Sequence, residues 1–98
     1  MLKITPMERA QIMLELLAKK SPAEYSTPLK SISAIGGGMF LLGTEKAEAI
    51  LTDLPTDPQL LLRELRHHLQ AMMVGCSTSE HTEIWGVFSK LPTEQNSA

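Results

Sequence analysis

At 98 residues, with 9 basic and 11 acidic side chains and a formal net charge of −2, the chain has the size of one domain and no electrostatic footprint for nucleic acid or an anionic membrane. A hydrophobic content of 43% argues against wholesale disorder. A single cysteine, Cys76, rules out an internal disulfide, and Met1 to Ile4 lead straight into a capped helix with no signal peptide, so a reducing cytoplasm is the expected compartment.

The first element is a helix. Thr5-Pro6-Met7-Glu8 is a capping box with proline at the first helical position, in which the threonine hydroxyl and the glutamate carboxylate each satisfy an otherwise unpaired amide. Arg9 to Lys20 are mostly good helix formers, with Met7, Ala10, Leu14 and Leu17 on one stripe and Met13 and Leu16 widening it. Lys19 and Lys20 suit the negative end of the dipole, and Ser21-Pro22 ends the helix.

Ala23 to Pro28 read as a connection. From Leu29 the side chains alternate, Leu29, Ser31, Ser33 and Ile35 on one side and Lys30, Ile32 and Ala34 on the other, which predicts a strand. Fourteen uncharged residues separate Lys30 from Glu45, with Gly36-Gly37-Gly38 between two apolar runs. Each glycine costs a helix interior about 1 kcal/mol relative to alanine, so the insert reads as two strands, the second Met39 to Leu42, joined by a glycine turn.

Thr44 is the expected N-cap of a helix from Glu45 to about Leu54, and Asp57-Pro58 opens a longer one to Val74, ended by Gly75. Leu62, Leu65, Leu69 and Met72 form its packing seam. Cys76 to Thr82 then read as a polar loop, Glu83 to Ser89 as the last strand, and 93–98 as a frayed tail after a single domain spanning 1–92. With Leu2 to Ile4 as a short first strand, the order is βαββαβ, and the expected fold is a small α+β, ferredoxin-like two-layer sandwich. The alternative is an all-α bundle in which Pro28 to Ile35 form a helix and the glycines a loop.

No residues stand out as catalytic, cofactor-binding or metal-binding. His67 and His68 are neighbours on a helix and point about 100° apart, so they cannot chelate one ion together. His68, Cys76 and His81 lack a zinc spacing, and Cys76 follows a helix C-terminus, where the dipole disfavours a thiolate. The triple glycine has no P-loop lysine and no GxGxxG frame. Arg63, Arg66, His67 and Gln70 form a polar stripe that reads as a solvated face, which ranks nucleic-acid binding last. The uncharged insert is too short to span a bilayer, which needs about 20 apolar residues.

Two of the expected strands are apolar on both faces. In a sandwich with helices on one side, Met39, Leu41, Trp85 and Val87 would share an uncovered sheet face, and a second copy of the chain is the simplest cover. The expected function is therefore a small homodimeric binding or regulatory module, open to a further protein partner and without cofactor, nucleic acid or membrane. The alternative is a ligand binder or enzyme whose pocket lies on that face, with His81 or Glu83 at its rim.

Overall fold

The structure is a computed structural model describing residues 3–36 and 38–93. Among the described residues five helices make up the fold: α1 (Pro6–Lys20), α2 (Pro22–Gly36), α3 (Glu45–Leu51), α4 (Pro58–Val74) and α5 (Thr78–Phe88). Among the described residues there is no strand, so the α+β sandwich is replaced by the all-α alternative.

Three expected strands fall in other conformations. Leu29 to Ile35 belong to α2, Met39 to Leu41 are irregular backbone leading into a turn at Leu42, and Glu83 to Phe88 belong to α5. Lys3 and Ile4 are irregular, and Leu2 lies outside the described residues, as do 94–98 of the expected tail.

The physical reason is burial at helical spacing. In α2 the buried positions are Tyr25, Pro28 and Ile32, with half-buried Ile35 continuing the three-four-three rhythm. In α5 they are Ile84, Val87 and Phe88, with Leu91 one turn on. A strand would have divided these side chains between two faces; a helix gathers them on one. Ser21-Pro22 ends α1 and also starts α2, since proline suits a first helical position and Ser21 caps α1 through its amide. Pro28 sits inside α2, where it removes one helical hydrogen bond, but its ring is fully buried in the core.

Helix α1 is the centre of the molecule, touching α2, α3 and α4, while α5 closes the far side against α2 and α4. The Thr5–Glu8 capping box forms in both directions, Glu8 N to Thr5 Oγ1 at 3.1 Å and Thr5 N to Glu8 Oε1 at 2.9 Å. The same Glu8 carboxylate takes an ion pair from Lys46 of α3 at 2.6 Å. Thr44 and Asp57 cap α3 and α4 as expected, although α3 ends at Leu51 rather than near Leu54. Gly75 ends α4. No helix among the described residues is long and apolar enough to cross a membrane.

Candidate functional site

The most unusual feature of α1 is polar. Gln11 and Glu15, one turn apart, are only 2% and 4% exposed among the apolar residues of the core. A buried carboxylate needs partners, and Glu15 has three N–H donors. It accepts from the Leu41 amide at 2.8 and 3.0 Å, from the Leu42 amide at 2.8 Å and from Gln11 Nε2 at 3.0 Å. Gln11 Nε2 also donates to the Met39 carbonyl. Two side chains of α1 thus satisfy the backbone of the segment joining α2 to α3, which lacks secondary structure to do so itself.

Glycine serves this arrangement at two points, by close approach at Gly36 and by backbone conformation at Gly38. A Cβ on Gly36 would lie 3.3 Å from Gln11 Oε1, and Gly38, at φ +81°, sends its amide back to the Ser33 carbonyl at 2.5 Å to close the end of α2.

With its backbone tied inward, the segment turns two large apolar side chains out, while Leu41 and Leu42 pack partly against the core. Met39 is 73% exposed and Phe40 70% exposed. Phe40 stands between two open depressions. One, of about 480 Å³, runs along two turns of α2 past Ser26, Leu29, Lys30, Ser33 and Ala34. The other, of about 340 Å³, lies toward α1 and is bordered by Ala18, Lys19, Leu29 and Leu42. Leu29 and Phe40 line both.

The four residues expected to share one apolar face do not. Val87 is 1% exposed in the core of α5, and Leu41 is half-buried beside Glu15. Met39 is exposed on the α2–α3 segment. Trp85 lies on α5, half exposed and stacked on Phe88 with ring centroids 5.5 Å apart. Among the described residues there is no sheet whose second face could line the expected pocket, and His81 and Glu83 lie on the exposed side of α5.

The other candidates fall to structural roles or to solvent. Arg66, from the polar stripe, places its guanidinium 4.6 Å from the Phe88 ring centroid. His68 Nε2 hydrogen-bonds the Pro6 carbonyl at 2.8 Å, tying α4 to the start of α1, while His67 is exposed. The Cys76 thiol donates to the Met73 carbonyl at 3.3 Å. Among the described residues no three His, Cys, Asp or Glu side chains converge as metal ligands would. A further depression of about 300 Å³ lies beside Tyr25, Glu24 and Gln59, where burial, aided by the Glu24 carboxylate, raises the Tyr25 phenol above its ordinary pKa.

The chain matches no family model, no curated protein and no solved structure.

Proposed function

We propose that this chain is a small helical binding module that engages another polypeptide through the segment between α2 and α3, with Met39 and Phe40 as its contact residues. The observation that carries this reading is that two large apolar side chains stand in solvent at the place where buried Gln11 and Glu15 fix the backbone beneath them. Burying a side chain such as Phe or Met is worth about 1.5–3 kcal/mol, and a free loop would recover part of that by folding it inward. Apolar groups held outward mark an interaction surface. A reducing cytoplasm, compatible with the one free cysteine, belongs to the same reading.

A second reading, pairing with another copy of the chain, is favoured by the position of Phe40 beside two depressions on the same face. A two-fold axis there would let each Phe40 enter a depression of its partner.

Photocrosslinking separates these outcomes. A benzophenone amino acid replacing Phe40 should give a discrete adduct in the producing cells, whereas the same group at Val74, exposed on the last turn of α4, should give none. An adduct of twice the 10.8 kDa chain mass from the purified protein alone would identify the self-pairing reading. No adduct specific to position 40 would overturn both.

A further inference from the structure

The exposed charged side chains that line the two depressions beside Phe40 are both basic. Lys30 borders the depression along α2 and Lys19 borders the one toward α1, and both are exposed. Neither forms an ion pair among the described residues. The one acidic side chain lining either depression is Glu15, and its oxygens already accept from the Leu41 and Leu42 amides and from Gln11. An overall acidic chain thus carries a locally basic rim around an apolar floor.

The floor has the shape of a seat for a helix. Ser26, Leu29, Ser33 and Ala34 lie at helical spacing along one side of α2, so the depression runs for about 12 Å at 1.5 Å per residue. Small residues on either side of Leu29 allow close approach, and Phe40 forms a wall on one side. We infer that the occupant is an amphipathic helix of a protein partner, its apolar stripe on Leu29 and Phe40 and its flanking residues acidic, so that they meet Lys19 and Lys30. This inference rests on the binding reading above. It disfavours a second copy of the chain, because a two-fold axis at Phe40 would bring the two lysine rims together.

The test uses three fluorescent synthetic peptides of 18 residues with the same leucine stripe, flanked by glutamate, glutamine or lysine, titrated by anisotropy into the purified chain. The glutamate peptide should bind at least tenfold more tightly than the lysine peptide, with the difference shrinking at high salt. Exchange of both rim residues, Lys19→Glu with Lys30→Glu, should invert the order, while Phe40→Ser should weaken all three peptides at least tenfold. Failure of the exchange to change the order overturns the acidic partner and leaves the binding surface standing if Phe40→Ser still weakens binding. Insensitivity to Phe40→Ser overturns the surface itself. Binding of the chain to phosphatidylserine vesicles that depends on Phe40 and both lysines, with no binding of the glutamate peptide, would overturn the protein partner in favour of a lipid surface.

Discussion

Glu15 decides the local structure of the candidate site. Its carboxylate serves as an acceptor for two successive backbone amides, and nothing else in that segment replaces it. Glu15→Gln removes the charge and turns one acceptor oxygen into a donor facing N–H groups. Hydrogen bonds to charged groups are worth roughly 1.5–3 kcal/mol, so this variant should lose about 2 kcal/mol in chemical denaturation. Amide exchange at Leu41 and Leu42 should accelerate more than at the core of α4, and a variant as stable as wild type would remove Glu15 from this role. The sequence carried a signal for it that is easily passed over: Gln11 and Glu15 lie one turn apart, close to the apolar stripe of α1, and the part of the uncharged insert beyond its glycines has backbone groups to satisfy.

At the level of elements, helix starts were legible and short apolar segments were not. Thr5, Thr44 and Asp57 each cap the helix they precede, because a side-chain oxygen placed before a helical run has one obvious use. Ser77-Thr78-Ser79-Glu80 repeats the pattern of Thr5 to Glu8, and Ser77 Oγ accepts from Glu80 N at 3.3 Å, yet this stretch reads as a loop when Ile, Trp, Val and Phe close behind it suggest a strand. Composition suggested a strand and spacing a helix, and tertiary burial sided with spacing. The glycines misled differently: Gly38 does require a positive φ, but at a helix end rather than in a hairpin. The cap of α1 gives a direct check, since Thr5→Ala should cost on the order of 1 kcal/mol in denaturant unfolding. The pair between α1 and α3 gives another. The Lys46 hydrogen bond, followed by the Thr5 amide, lowers the Glu8 pKa from its ordinary 4.5. A lowered carboxylate stabilises the fold above its unfolded pKa, and that contribution disappears as pH falls through the folded value. Wild type and Lys46→Met should therefore differ most near neutral pH and converge in acid; a gap that widens on acidification would refute the assignment.

For the molecule as a whole, the change from sandwich to bundle alters what a charge at position 87 means. In a sandwich Val87 would lie on an exposed face, and lysine there would only disturb a contact between copies. In the bundle Val87 joins Ile84, Phe88 and Leu91 in the core. An unpaired ammonium group buried there should cost roughly 3–5 kcal/mol, so Val87→Lys should appear as lost cooperative unfolding rather than as a well-folded monomer. The paradox of strands apolar on both sides is resolved in the same way, since the core takes one side of α5 and Trp85 is left to stack at the edge on Phe88.

The tethering of Met39, Leu41 and Leu42 to α1 also bears on the thermodynamics of association. Ordering a backbone residue costs about 1–2 kcal/mol, so fixing the residues from Met39 to Leu42 costs on the order of 4–8 kcal/mol. Because Gln11 and Glu15 are part of the core, that entropy is lost when the chain folds and not when a partner arrives. Phe40 is thus offered on a rigid platform, and a modest contact area can yield useful affinity because little of it is spent on disorder-to-order change.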